Sequence, residues 1–96
     1  RVYDPAFSYE TATIVIDGLE HMYGKCEDVI YYITLYNENY RQLGMPEGSR
    51  RGILEGMYRL TSQDAGHDRP RVQLFGSGPI LRESLRAQEI LANKYG

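Results

Sequence analysis

The sequence predicts an α/β protein assembled from pieces of two parallel sheets, in the order helix-strand, linker, strand-turn-helix. Three observations carry this. A long periodic segment opens the chain, a nearly continuous apolar run follows at Val29–Tyr36, and a second apolar run at Val72–Phe75 breaks at Gly76-Ser77-Gly78-Pro79 before another periodic segment.

Residues 1–3 read as the approach to a helix. Asp4-Pro5 is a start signal, because the Asp side chain can accept from free backbone donors and Pro at the first helical position gives up no hydrogen bond. The helix is expected from about residue 5 to Tyr23. Phe7, Ala12, Val15, Leu19 and Met22 recur at helical spacing, and Gly24 supplies a left-handed stop. The β-branched stretch Thr11–Ile16 favours a strand by propensity alone, but its flanks and the length of the periodic segment favour a helix.

Val29–Tyr36 suits a central strand covered on both faces. It ends at Asn37-Glu38-Asn39, at the carboxyl end of the strand, where open α/β sheets place their ligands. Residues 41–49, with Gly44, Pro46, Gly48 and Ser49, form a punctuated connection that marks the boundary between two units. A short helical turn is expected near Glu47–Glu55, a strand at Met57–Leu60, and an exposed, mobile loop over residues 62–70. Val72–Phe75 then enters the glycine-containing turn and a helix from about Pro79 to Lys94. Ile80, Leu81, Leu85, Ile90 and Leu91 should form its buried face, with Arg82, Glu83, Arg86 and Glu89 in water.

Eleven Lys and Arg against thirteen Asp and Glu leave a net charge of -2, too balanced to gather a polyanion, so nucleic acid is not an expected partner. No window approaches the roughly 20 apolar residues of a membrane span. A membrane is therefore not expected either. Cys26 is the single cysteine, which rules out an internal disulfide and suits a reducing, cytoplasmic setting. His21, Cys26 and His67 match no zinc spacing.

Two clusters could carry chemistry. Gly76-Ser77-Gly78-Pro79 could let free amides at a helix start hold an anion, although it lacks the Lys and Ser/Thr of a phosphate loop; Ser77 capping a tight turn is the simpler reading. Tyr36-Asn37-Glu38-Asn39-Tyr40-Arg41 gathers amides, a carboxylate, two phenols and a guanidinium beyond the strand. It could line a pocket, or Asn37 and Asn39 could merely end the strand while Glu38 pairs with Arg41.

Asp4-Pro5-Ala6-Phe7-Ser8-Tyr9-Glu10, Asp17-Gly18-Leu19, Met22-Tyr23-Gly24, Tyr31-Tyr32-Ile33-Thr34, Asn37-Glu38-Asn39-Tyr40 and Met45-Pro46-Glu47-Gly48 together resemble the homodimeric-type decarboxylating component of pyruvate dehydrogenase. The similarity continues through Gly56-Met57-Tyr58-Arg59-Leu60, Gly76-Ser77-Gly78 and Ala92 to Gly96, so it covers essentially the whole chain.

That resemblance implies a transketolase-like fold. Residues 1–43 would close the middle, pyrimidine-binding domain, and 44–96 would link to and open the carboxyl-terminal domain. The family decarboxylates pyruvate on thiamine diphosphate with magnesium and reductively acetylates the lipoyl domain of the dihydrolipoyl acetyltransferase, working as a homodimer. The Gly-Asp-Gly motif of its metal-diphosphate site is absent from these 96 residues, so neither cofactor is expected on this chain, and its partners would include the rest of a longer parent.

A first residue of Arg1 rather than Met suits such a piece. No catalytic residue is expected here. Asn37, Glu38, Tyr40 and Arg41 are expected to line the active-site channel. Some relatives carry a histidine where Arg41 stands, and a guanidinium does not give up its proton. The alternatives are a self-standing, non-catalytic α/β interaction module of the same descent, or a small anion-binding protein using Gly76–Pro79.

Overall fold

The computed structural model describes residues 1–64 and 66–96. Its first unit is β-α-β: strand β1 (Val2–Tyr3), helix α1 (Ser8–Leu19) and strand β2 (Tyr32–Ile33). The strands pair in parallel, Val2 opposite Tyr32 and Tyr3 opposite Ile33. Residues 1–3 are thus a strand and not a helix approach. Parallel pairing needs a crossover, which α1 supplies. The Tyr32 amide donates to the Arg1 carbonyl at 2.8 Å and the Thr34 amide to that of Tyr3 at 3.1 Å.

Helix α1 starts at Ser8, three residues later than Asp4-Pro5 suggests. Glu10 sets the start, since its Oε2 accepts from the amides of Ala6 at 2.6 Å and Phe7 at 3.4 Å. This is half of a capping box, because Phe7 at the cap has no side-chain oxygen to return the contact. The buried face is also rotated from the one expected. It holds Glu10, Ile14, Asp17 and Gly18, whereas Ala12, Val15 and Leu19 are exposed. Two carboxylates are covered because distant polar groups satisfy them, which apolar periodicity cannot register.

After Leu19 the helix widens into a π-helical turn over Glu20–Gly24, closed by the Lys25 amide on the Glu20 carbonyl at 2.8 Å. The left-handed residue is Cys26, at φ 53°, and not Gly24. Strand β2 is shorter than the run Val29–Tyr36, because its one neighbour among the described residues is the two-residue β1. Ile30 and Leu35, 79% and 73% exposed, are not covered on both faces.

Helix α2 (Arg50–Glu55) ends at Gly56 in the left-handed region, φ 93°. Met57–Leu60 forms no strand, and Tyr58 instead turns back to α1. The core joins Tyr3, Ile14 and Ile53, with Tyr9, Tyr31, Ile33, Leu54 and Tyr58 packed around it. The loop expected over 62–70 includes Ala65, which lies outside the described residues; its other members are exposed.

Val72–Phe75 forms no ladder either, and Val72 and Phe75 are exposed. A strand needs a neighbour, and no described residue supplies one. The chain then makes a 3-10 turn over Gly78–Ile80 and enters helix α3 (Leu81–Tyr95). No residue of α3 is fully buried; Ile80, Ile90 and Leu91 are exposed and Leu81 and Leu85 half-buried, so its expected apolar face is only partly covered here. Among the described residues no helix is long and apolar enough to cross a membrane.

Candidate functional site

Asp4 follows β1 directly, and the residues that meet it come from two other segments. The Thr34 hydroxyl, just after β2, donates to Asp4 Oδ1 at 2.5 Å. From the glycine-containing turn, the Gly78 amide donates to the Asp4 backbone carbonyl at 3.2 Å. Gly78 has φ 53°, and a Cβ placed there would lie 3.0 and 3.1 Å from the Asp4 carboxylate oxygens. The turn that could have held a foreign anion is therefore filled by the protein's own carboxylate. Thr34 chiefly, then Ser77 and Tyr36, hold the Asp4 carboxyl below its usual range against the opposing effect of burial. Ser77 stands at the cap position of the turn, but its side chain makes no capping hydrogen bond.

The segment after β2 carries the residues the sequence singled out. Glu38 does not pair with Arg41. Its Oε2 accepts from Arg82 Nη2 at 3.0 Å, across 44 residues, with both side chains about half exposed. The Arg82 guanidinium also lies 4.6 Å over the Tyr40 ring, and its Nε donates to the Pro79 carbonyl at 3.2 Å. Tyr40 is half-buried. Its hydroxyl donates to the Ala6 carbonyl, and its ring meets Phe7 edge-on at 6.3 Å. Gln42 adds a second tether, its Oε1 accepting from the Ser8 amide at 2.8 Å. The loop is thereby fixed to the start of α1 on one side and to the start of α3 on the other.

Asn37 and Glu38 border an open hollow of about 620 Å³ whose charged lining is Asp4, Glu38, Glu83 and Arg82. Arg41 is exposed and makes no ion pair among the described residues. The structure thus sets Asn37 and Glu38 on the hollow, links Glu38 to Tyr40 through Arg82, and leaves Arg41 apart.

A second polar cluster, half-buried around the buried Glu10, lies between α1 and Tyr58. The Tyr58 hydroxyl donates to Glu10 Oε1 at 2.5 Å and lies 2.5 Å from the Tyr9 hydroxyl. Burial first, and then the Glu10 carboxylate, push the Tyr58 phenol far above its ordinary value. A third cluster gathers at Asp17, which accepts from Tyr31 at 2.8 Å and Arg1 at 3.4 Å and faces His21 at 3.5 Å. His21 also contacts Glu27 at 2.6 Å. Among the described residues no group of three His, Cys, Asp or Glu could hold a metal ion.

Arg82, Asp4, Glu10 and Tyr58 were not among the site residues expected from the sequence. Arg82 reads as one charge on a wet helix face, and nothing local marks its partner. Glu10 carries the one available signal, as an acidic residue at the third helical position.

Residues 1–43 match the family model described as the pyruvate dehydrogenase E1 component middle domain. The chain is 54% identical over 95 residues to the pyruvate dehydrogenase E1 component of Escherichia coli (strain K12), an alignment covering 98% of this chain and 10% of that protein. The chain belongs to the pyruvate dehydrogenase E1 family. The E1 component of Cupriavidus necator is 46% identical over 94 residues, and that of Buchnera aphidicola subsp. Schizaphis graminum 51% identical over 94. These alignments cover 98% and 97% of this chain and 10% of each relative. The chain therefore spans about a tenth of the length of the E1 relatives it matches. The family expected from the ordered series of motifs is borne out, and the helices with their small parallel sheet agree with an α/β piece of an E1 protein.

Proposed function

We propose that this chain is the stretch of a pyruvate dehydrogenase E1 protein that joins its middle domain (residues 1–43) to its carboxyl-terminal domain (44–96). The protein of which it forms part decarboxylates pyruvate and passes the acetyl group to the lipoyl domain of a dihydrolipoyl acetyltransferase, as a cytoplasmic homodimer. The observation that carries this reading is the 54% identity to a pyruvate dehydrogenase E1 component over 98% of the chain.

Thiamine diphosphate with magnesium, bound elsewhere in the protein, would supply the carbanion chemistry. The residues described here do not fit the metal, since they offer no cluster of ligands. No step is assigned to it from this chain, which alone turns over no pyruvate. The contribution of this stretch is a wall. Asn37, Glu38 and Tyr40 line the channel by which substrate reaches the cofactor, and the exposed Arg41 attracts the pyruvate carboxylate. Glu38 and Tyr40 are the better placed, being held at both ends of the loop.

Two measurements on the full-length protein test this. Pyruvate-dependent acetylation of a lipoyl domain should require thiamine diphosphate and magnesium; its absence in their presence removes the reading. Arg41→Gln should raise the KM for pyruvate, and an unchanged KM removes Arg41 from the channel.

A further inference from the structure

The hollow beside Asn37 and Glu38 has an unfavourable charge for the substrate just proposed. Its lining carries three carboxylates, Asp4, Glu38 and Glu83, against one guanidinium, Arg82. A 2-oxo acid arrives as an anion, and like charges at a recognition surface oppose approach. Asp4 is occupied, held by Thr34 and tucked against the Gly78 turn. Glu38 is the carboxylate on the loop itself, and Arg82 is what meets it.

Arg82 is also built to hold the loop as well as to neutralise it. One nitrogen pairs with Glu38, the plane stacks over Tyr40, and the Nε donates to Pro79 in its own first turn. These contacts use two of the guanidinium's N–H groups and its flat face together, a combination an ammonium cannot reproduce. Both side chains are about half exposed, so the pair adds little to stability. Its effect lies in where the loop's charge sits.

We infer that Arg82 is a positioning residue for the candidate site: it fixes Glu38 and Tyr40 and cancels the Glu38 charge, so that an anionic 2-oxo acid can approach the hollow. This rests on the proposal that the loop lines the substrate channel.

The test is steady-state kinetics with pyruvate on the full-length enzyme carrying Arg82→Gln, Arg82→Lys, Glu38→Gln, or Glu38→Gln with Arg82→Gln. Arg82→Gln should raise KM about fivefold at low salt while kcat changes less. The increase should shrink as salt is added. The double variant should recover most of the loss, because no uncompensated carboxylate remains. Arg82→Lys should fall between, keeping the charge without the stacking.

If Arg82→Gln leaves KM unchanged while Glu38→Gln shifts it, the inference fails and the loop keeps its place in the channel. If both are silent, both fail. A loss in Arg82→Gln that the double variant does not recover overturns the inference by assigning Arg82 a purely structural role. Should Arg82→Gln not fold, Arg82→Lys decides: a raised KM with kcat retained supports the inference, and an unchanged KM overturns it.

Discussion

The Tyr58 hydroxyl donates to Glu10 at 2.5 Å across 48 residues of sequence. A phenol has one proton, so Tyr58 can only accept from Tyr9, which fixes the direction of the whole chain Tyr9 to Tyr58 to Glu10. Glu10 in turn accepts from the Ala6 and Phe7 amides that start α1. The residues after α2 thus anchor the beginning of α1 through one carboxylate.

Replacing Tyr58 with Phe should cost about 2 kcal/mol, since it removes a bond to a charged, buried acceptor. Hydrogen exchange at the Ala6 amide of the full-length protein should speed accordingly. Tyr9→Phe should cost less, because it removes only the donor to a neutral phenol. Equal exchange in Tyr58→Phe and the parent would contradict this.

Close packing behind Tyr58 gives a second expectation. A Cβ on Gly52 would stand 2.5 Å from the Tyr58 Cβ and 2.9 Å from the Met57 carbonyl oxygen, whereas one on Gly44 meets nothing within 4 Å. Gly52→Ala should therefore destabilise by about 1–3 kcal/mol through overpacking. Gly44→Ala should be neutral or stabilise by a few tenths, about 0.4 kcal/mol, by restricting the unfolded chain. Thermal melting of the two full-length variants distinguishes them.

Asp4 should make the fold sensitive to acid. Its pKa is lowered from the ordinary 3.8, chiefly by the Thr34 hydroxyl, so the stabilisation is fully present above 3.8 and is lost as pH falls through the depressed value. The group is only partly buried, which keeps the effect small. Thr34→Val should return the Asp4 titration, followed by carboxyl NMR shifts, toward 3.8; an unmoved titration would refute the assignment.

Cys26 holds φ 53° without being glycine. The left-handed region is unfavourable to a residue with a Cβ, so Cys26→Gly should stabilise the end of the π-helical turn by up to about 1 kcal/mol. The Cys26 thiol contributes only a long contact to the Tyr23 carbonyl, 3.7 Å, so little is lost. Denaturation midpoints measure the difference.

Made as 96 residues alone, the chain should associate or remain partly disordered. Ile30, Leu35, Phe75 and Ile80 are each at least 70% exposed, and both strands of the small sheet have an open side. Strand edges and apolar surface of this kind seek partners. Sedimentation should show mass rising with concentration, and a sharp, concentration-independent melt of a monomer would refute the expectation.

Local sequence was enough for the α/β class, for a helix through residues 8–19, for the turn at Gly76–Pro79 leading into another helix, and for the E1 family through an ordered series of motifs. It was enough to place polar residues beyond β2. The tertiary structure alone decided which face of α1 is covered, because apolar periodicity is blind to a carboxylate whose partner, such as Tyr58 for Glu10 or Tyr31 for Asp17, arrives from 48 or 14 residues away. It decided that Asp4 fills the glycine turn and that Arg82, not Arg41, meets Glu38. It also decided where strands form, since Val72–Phe75 has strand composition but no ladder: a β-strand is a property of two segments, and one segment's sequence describes only half of it.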